Sequence, residues 1–270
     1  MVNTSQEPSQ RQMLRLPTVK EHFLSYIKYI GNPNAVTSTR DTLQRVPSLF
    51  FINGLMSDMT SRKSKFLYEY CKENNISFLT YDHFAHGASS GNFSEATISR
   101  WYEDLCTIFF KETKGPQILV GSSMGFWLAL LLLLKSPAEV KNKVAGIIGI
   151  GSSVNTTQKF LNEIGGENFL VPGNIYHRPS KYSQSGYYDI PHDLLQDGIE
   201  FTIEPPFKVN CPVSIIHGGK DEDVPLKEAQ SLKSNLQATN ISFWLIEDGD
   251  HRLSRNEDLE VLRTVIENMI

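Results

Sequence analysis

The chain contains 270 residues, of which 40% are hydrophobic and 21% are charged. This length and composition allow one large hydrophobic core, so the sequence predicts a single domain over residues 1–270. The formal net charge is −4, and the Lys and Arg residues are scattered rather than grouped into a basic face, which argues against nucleic acid as a partner. Three widely spaced cysteines favour free thiols in a reducing, intracellular compartment over disulfides or a zinc site.

The apolar segments do not fit an integral membrane helix. The longest apolar run, residues 126–134, is far shorter than the roughly 20 residues that a spanning helix needs. The first twelve residues are polar and lack the apolar core of a secretory signal peptide. Basic residues outnumber the acidic one in the first twenty positions, so a mitochondrial presequence and a cytoplasmic location both stay open.

Hydrophobic periodicity and turn residues predict a regular succession of strands and helices. In chain order they are an antiparallel strand at 24–30, a turn region at 31–40, a strand at 48–53, a helix at 61–74, a strand at 76–81, a helix at 99–111, a strand at 117–120, a helix at 126–134, strands at 144–150 and 212–217, a helix opened by Pro225, a strand at 241–246 and a last helix opened by a capping box of Ser254 and Glu257. This alternation predicts an α/β fold with a mostly parallel central sheet flanked by helices.

About sixty residues between the strands at 144–150 and 212–217 break this rhythm, far more than a usual connection inside an α/β unit. The sequence therefore predicts a cap insertion at about residues 155–208. Its many aromatic side chains either line an apolar acyl site or form a small core of the cap itself.

A G-x-S-x-G pattern, with Ser123 between Gly121 and Gly125, joins an apolar strand to an apolar helix. In this strand–turn–helix setting the pattern is typical of the nucleophile elbow of α/β-hydrolases. A serine on so sharp a turn needs a strained backbone, and the flanking glycines let strand and helix approach without a Cβ between them. We therefore predict an α/β-hydrolase fold with Ser123 as the nucleophile.

A serine hydroxyl is a weak nucleophile at neutral pH, so it needs a base to take its proton and an acid to orient that base. In this fold the chain order is serine, acid, histidine. The loop after the next-to-last strand contains Asp221, Glu222 and Asp223, and its H-G-x-x-D-x-x-V-P spacing favours the first of these as the acid, with the other two as competitors. His251 follows the last strand and is the predicted base. The alternative is an accidental elbow pattern with unrelated Asp and His residues.

Attack on a carbonyl creates an oxyanion, which needs two preorganised backbone N–H donors. Met124 follows the nucleophile directly at a helix N-terminus, where the helix dipole favours negative charge. Leu55 lies in the loop after the first predicted parallel strand and is the second candidate. The alternative for this loop is that Gly54 simply permits a turn.

Other polar residues carry weaker signals. His217 precedes the acid loop and is interpreted as a hydrogen-bonded strand-end residue rather than a second base. His83 and His86 lie near Asp82, but one carboxylate and two histidines in a glycine-rich loop are a poor ligand set, so no metal site is predicted. Lys181 is interpreted as a solvated surface lysine rather than a contact to an anionic substrate.

Several segments beyond the elbow are similar to a known family. They are residues 54–59, 116–123, 179–183, 209–212, 217–225 and 250–252. Together they resemble the mitochondrial α/β-hydrolases that act as palmitoyl-protein thioesterases and acyl-glucuronide esterases. The resemblance implies an S-depalmitoylating or carboxylesterase activity, a triad of Ser123, Asp221 and His251, and a mitochondrial location. Phe126 and Asn53 depart from the family pattern and could reshape the acyl pocket.

The predicted reaction is acyl transfer to Ser123 and then to water, on a small-molecule or acylated-protein substrate and without a cofactor. A ligand-binding module that keeps the fold without catalysis is the alternative class. The complete set of candidate residues disfavours it. The oligomeric state is left open by these patterns.

Overall fold

The structure, a computed structural model, describes residues 11–15, 22–32, 36–39 and 42–270. The strands within these ranges are β1 Arg11–Arg15, β2 Phe23–Tyr29, β3 Val36–Thr39, β4 Thr42–Arg45, β5 Ser48–Ile52, β6 Phe78–Tyr81, β7 Gln117–Ser122, β8 Val144–Ile150, β9 Ile175–Pro179, β10 Tyr187–Pro191, β11 Phe207–Lys208, β12 Val213–Gly218, β13 Leu236–Gln237 and β14 Ile241–Ile246. The α-helices are α1 Arg62–Glu73, α2 Ile98–Glu112, α3 Met124–Lys135, α4 Ala138–Lys141, α5 Thr156–Glu163, α6 His192–Glu200, α7 Leu226–Asn235 and α8 Asn256–Glu267, and short 3₁₀ turns lie at Phe93–Glu95 and Glu167–Phe169.

Eight strands form the central sheet, in the order β1-β2-β6-β5-β7-β8-β12-β14. The pairs β1–β2 and β2–β6 are antiparallel. All the other neighbours in this sheet are parallel. The prediction of a mostly parallel central sheet is confirmed, as is that of an early antiparallel strand.

Helices cover both faces of the sheet, which is why the inner strands are continuous apolar runs rather than alternating ones. In β7, the side chain of Leu119 packs into a core that includes Trp101 of α2 and Trp127 of α3. Its neighbour Ile118 packs into a second core on the opposite face, together with Leu67 of α1. Successive residues of one strand therefore anchor helices on the two sides.

Helix α3 is the apolar run that the sequence places behind the elbow. Its residues from Met124 to Leu133 are all buried, which explains why the run shows no polar face. Across the described part of the chain, no helix combines the length and the apolar character needed to cross a membrane.

The carboxyl ends of the parallel strands meet at one edge of the sheet, where ligands bind in open α/β folds. The loops after β5, β7, β12 and β14 all leave from this edge. These loops carry Leu55, Ser123, Asp221 and His251 in that order. The topology therefore gathers the predicted site residues at one edge.

Two local predictions are wrong. The last helix begins at Asn256 rather than at Ser254, because the hydroxyl of Ser254 bonds to the carbonyl of Arg252 and the backbone N–H of Arg255 is capped by Asp258. The region at 31–40, predicted as a turn, contains β3, which pairs with β4 in a hairpin. Residues 33–35 and 40 of that region lie outside the described residues, as do residues 1–10 of the N-terminal segment considered as a presequence.

Residues 155–208, here named the cap segment, lie between β8 and β12 and contain α5, the β9–β10 hairpin and α6. Phe160 and Leu195 of this segment are buried in the same core as α2 and α3. Phe169, Tyr176 and Phe201 pack against that core while partly exposed. Most of the cap's aromatic residues thus extend the main core.

Candidate active site

Ser123 lies on the turn between β7 and α3 with φ +52° and ψ −119°. A left-handed φ is uncommon for a residue with a side chain and stores local strain. A Cβ on Gly121 would lie 2.5 Å from the backbone nitrogen of Phe126. A Cβ on Gly125 would lie 2.2 Å from the carbonyl oxygen of Ile52. Both glycines are required by close packing, as the elbow pattern predicts.

His251 lies between Ser123 and Asp221. Its Nε2 atom is 3.0 Å from Oγ of Ser123, and its Nδ1 atom is 2.8 Å from Oδ2 of Asp221. Because a carboxylate accepts a hydrogen bond, Nδ1 carries the proton and Nε2 is free to accept one from the serine hydroxyl. The three residues, distant in the chain, form one hydrogen-bonded series.

Asp221 is fixed by its own loop. Its side chain is fully buried, and its Oδ1 accepts the backbone N–H groups of Asp223 at 3.0 Å and Val224 at 2.8 Å. These bonds leave Oδ2 to face His251. The backbone of the loop therefore orients the carboxylate toward the imidazole.

The other polar residues near this loop have structural partners. His217 is buried and its Nε2 donates to the carbonyl of Val224 at 3.0 Å, as predicted for a strand-end residue. Burial lowers the pKa of His217, which favours its neutral form. Lys181 pairs with Glu222 at 2.5 Å, and both side chains are more than half exposed. The lysine is a surface residue, as predicted.

The loop after β5 approaches the elbow closely. A Cβ on Gly54 would lie 2.9 Å from the carbonyl oxygen of Ser122 and 3.2 Å from Cβ of Ser123. Close approach rather than a left-handed turn is what requires glycine here. Leu55 follows directly, and Met124 begins α3, so its N–H has no partner within the helix. The backbone segments that carry the N–H groups of Leu55 and Met124 thus both lie next to Ser123.

His86 holds this loop, a role that the sequence did not reveal. Its Nδ1 donates to the carbonyl of Phe84 and its Nε2 accepts the backbone N–H of Met56, each at 3.0 Å. Met56 has φ +54°, so the loop takes an uncommon conformation at the residue where this bond forms. Burial lowers the pKa of His86, which keeps Nε2 available as an acceptor.

Two neighbours of His86 bind the same loop. Nε2 of His83 donates to the carbonyl of Asn53 at 2.9 Å, and Oδ1 of Asp82 accepts the backbone N–H of Met59 at 2.7 Å. The amide of Asn53 in turn donates to the carbonyl of Tyr81 at 3.1 Å. The residues weighed as metal ligands therefore bind main-chain groups. Asn53 thus ties β5 to β6.

Asp221, Asp223 and His251 are a further cluster whose spacing resembles that of metal ligands. Their donor atoms lie within 4.8 Å of one another. Arg178 pairs with Asp223, at 3.2 Å between Nη1 and Oδ1, so a cationic group already occupies one side of this cluster. The repulsion between this guanidinium and a metal ion disfavours metal binding.

Comparison with known proteins finds relatives of this chain in sequence and in structure. The chain is 31% identical to the mitochondrial palmitoyl-protein thioesterase ABHD10 of Rattus norvegicus over 227 residues, which cover 83% of this chain and 75% of the relative. The solved structure of α/β-hydrolase domain-containing protein 10 from mouse matches with a TM-score of 0.82 and 27% identity, covering 96% of this chain and 97% of that chain. A putative hydrolase from Agrobacterium vitis S4 matches with a TM-score of 0.85 and 26% identity, covering 96% and 98%.

No family profile matches the chain. The two solved structures nevertheless confirm the predicted α/β-hydrolase fold across nearly the whole sequence. The sequence relative carries the name of a thioesterase, which agrees with an ester or thioester hydrolase. With this identity over most of both chains, the protein belongs to the ABHD10 family of α/β-hydrolases.

Proposed function

We propose that this protein is a serine hydrolase that cleaves acyl thioesters or carboxylic esters, most like an S-depalmitoylating acyl-protein thioesterase. Ser123 is the nucleophile, His251 the general base and Asp221 the acid of the triad. The observation that carries the proposal is the hydrogen-bonded series of 3.0 Å and 2.8 Å through the two ring nitrogens of His251. The names of the relatives support the thioester as substrate.

The reaction proceeds by acyl transfer. Nε2 of His251 takes the proton of the Ser123 hydroxyl as Oγ attacks the carbonyl carbon. The oxyanion accepts hydrogen bonds from the N–H groups of Leu55 and Met124, and the helix dipole of α3 adds to its stabilisation. When the tetrahedral intermediate collapses, the thiol or alcohol leaves with the proton from His251.

Water completes the cycle. It loses a proton to Nε2 of His251 and attacks the acyl-enzyme, and the acid leaves as Ser123 recovers its proton. The protein residues supply every proton transfer, so the proposal requires no cofactor or metal ion.

The substrate site and the location complete the proposal. The chain forms one domain over residues 1–270, in which the cap segment covers an acyl site for a small-molecule or acylated-protein substrate. Contacts of the cap with the loop of His251 support this. The hydroxyl of Tyr182 donates to Oδ2 of Asp250 at 3.4 Å, and the guanidinium of Arg252 stacks on the ring of Tyr182.

The protein resides in mitochondria, as the relative's name suggests. A fluorescent fusion that stays in the cytoplasm would contradict this location.

Labelling with a fluorophosphonate probe tests the chemistry. We expect rapid labelling of wild type, none of Ser123→Ala, and unchanged labelling of Ser122→Ala, a matched control at the adjacent position. Slow labelling of wild type, equal to that of Ser123→Ala, would instead support a ligand-binding module without catalysis.

Turnover of acyl thioesters and p-nitrophenyl esters of increasing chain length tests the substrate. We expect a depalmitoylase to prefer long-chain thioesters. A preference for short oxygen esters would identify a general carboxylesterase of the acyl-glucuronide type, with the same triad.

A further inference from the structure

A second carboxylate lies close to His251. Asp223 is two residues after Asp221, and one oxygen of each lies within 4.8 Å of a ring nitrogen of His251. The side chain of Asp223 is 23% exposed, so its charge is only partly screened by water. An imidazole between two carboxylates is held in its protonated form and is then a poor base.

Arg178 of the cap segment reaches this second carboxylate. Its Nη1 lies 3.2 Å from Oδ1 of Asp223, and its Nε lies 3.1 Å from a carboxylate oxygen of Glu163. The guanidinium also stacks on the ring of Phe160, 4.6 Å from the centroid. With only 15% of its side chain exposed, Arg178 is held in place by three contacts from α5 and the acid loop.

We propose that Arg178 is a positioning residue that neutralises Asp223 and holds it away from His251, so that Asp221 remains the sole acid partner of the imidazole. The inference rests on the proposed catalytic role of this triad. It assigns to the cap segment a part in tuning the base, in addition to covering the substrate.

Other charged and titratable groups lie on, or interact with, β12, the acid loop and the loop that carries His251. They are Asp221, Asp223 and His217 on β12 and its loop, Asp250 and Arg252 on its own loop, Lys63 on α1, Lys159 on α5, and Arg178 and Tyr182 in the cap segment. Lys159 is paired with Glu228, and Lys63 donates to the carbonyl of Arg252. Burial lowers the pKa of His217, which favours its neutral form. Of the two carboxylates that cluster with His251, Asp223 is the one that pairs with a cation of the cap segment.

Arg178→Gln tests the inference through the pH dependence of kcat/KM. The unmasked charge of Asp223 stabilises the imidazolium, so we expect the midpoint of the acidic limb to move up by about 0.5–1 pH unit. Arg178→Lys restores a cation and should return the midpoint toward wild type. Lys181→Gln removes a neighbouring cap cation that pairs with exposed Glu222 and should leave the midpoint unchanged.

The decisive comparison repeats Arg178→Gln in a protein that already carries Asp223→Asn. If Arg178 acts by masking Asp223, no second carboxylate is left to unmask once Asp223 is Asn. In that background, Arg178→Gln should shift the pH midpoint by less than about 0.2 pH unit. An equal shift in both backgrounds would overturn the inference, because Arg178 would then act on His251 directly. An unmoved midpoint in the single variant would overturn it as well.

An NMR titration of the His251 ring protons in wild type, Arg178→Gln, Asp223→Asn and the double variant separates this inference from the proposed function. It reports the protonation of the imidazole whether or not the protein turns over an ester. Loss of all hydrolysis with the expected NMR shifts would refute the proposed function alone. Normal hydrolysis without these shifts would refute the masking role of Arg178.

Discussion

His86 offers the sharpest mutational test of how the loop after β5 is held. His86→Phe keeps an aromatic ring against Trp101 and Phe93, whose centroids lie 5.3 and 5.7 Å from that of His86, but removes the acceptor of the Met56 N–H. His86→Gln is the matched control, because its amide oxygen can accept at the position of Nε2. His86→Phe thus keeps the ring without the acceptor, and His86→Gln keeps the acceptor without the ring.

The magnitude follows from the contacts. The lost hydrogen bond is worth about 0.5–1.5 kcal/mol, and full loss of one oxyanion-hole donor costs about 2.7–4 kcal/mol. Without this bond at Met56, the loop is still bound through Asn53 and Met59. It should therefore lose only part of the N–H donation that is proposed for Leu55. We therefore expect kcat to fall about 10- to 100-fold in His86→Phe, with little change in KM.

Steady-state kinetics on an activated acyl ester measure this effect, with the concentration of active sites titrated by a fluorophosphonate and the fold checked by thermal unfolding. His86→Gln should retain kcat within about threefold, since it keeps the acceptor. If folded His86→Phe keeps kcat within twofold of wild type, the reasoning that this bond positions the loop is refuted.

Three further substitutions give distinct outcomes. Gly54→Ala places a Cβ 2.9 Å from the carbonyl oxygen of Ser122, so the loop must move and kcat should fall at least 10-fold in a folded protein; wild-type kinetics would exclude the close approach. Burial raises the pKa of Asp104 to about 7, so wild type loses stability as pH rises from 4 to 7. The free energy of unfolding of Asp104→Asn should therefore rise by about 2–4 kcal/mol relative to wild type between pH 4 and pH 8, and a flat difference in urea titrations would contradict this. Burial also raises the pKa of Asp82, to about 6, although both carboxylate oxygens accept backbone N–H groups; the free energy of unfolding of Asp82→Asn should therefore rise by about 1–3 kcal/mol relative to wild type between pH 4 and pH 8, and a flat difference in chemical denaturation would contradict this.

Local patterns were enough to predict the elements that carry the site. The strands β8 and β14 have the predicted bounds because each is an apolar run between turn residues. Ser123 and its flanking glycines carry their own signal, since the turn itself requires those residue types. Asp221 and His251 follow from their positions after strands.

Long-range pairs were beyond the reach of sequence patterns. The bond from Met56 to His86 joins two loops 30 residues apart, and the pair of Arg178 with Asp223 joins residues 45 apart. Neither pair has a spacing that distinguishes it from surface residues. The start of α8 differs for a local reason, because two possible caps lie one residue apart and Asp258, rather than the predicted Glu257, accepts the capping N–H.

The series through His251 spans 128 positions of the chain, from Ser123 to a loop that is synthesised later. A ribosome adding about 5–20 residues per second needs roughly 6–25 s to travel that distance. During this time the nascent polypeptide already contains the elbow with Ser123, but it lacks the His251 imidazole that is proposed to activate this serine. Under the proposed mechanism, the order of synthesis thus keeps the young protein inert toward acyl donors until the loop of His251 emerges.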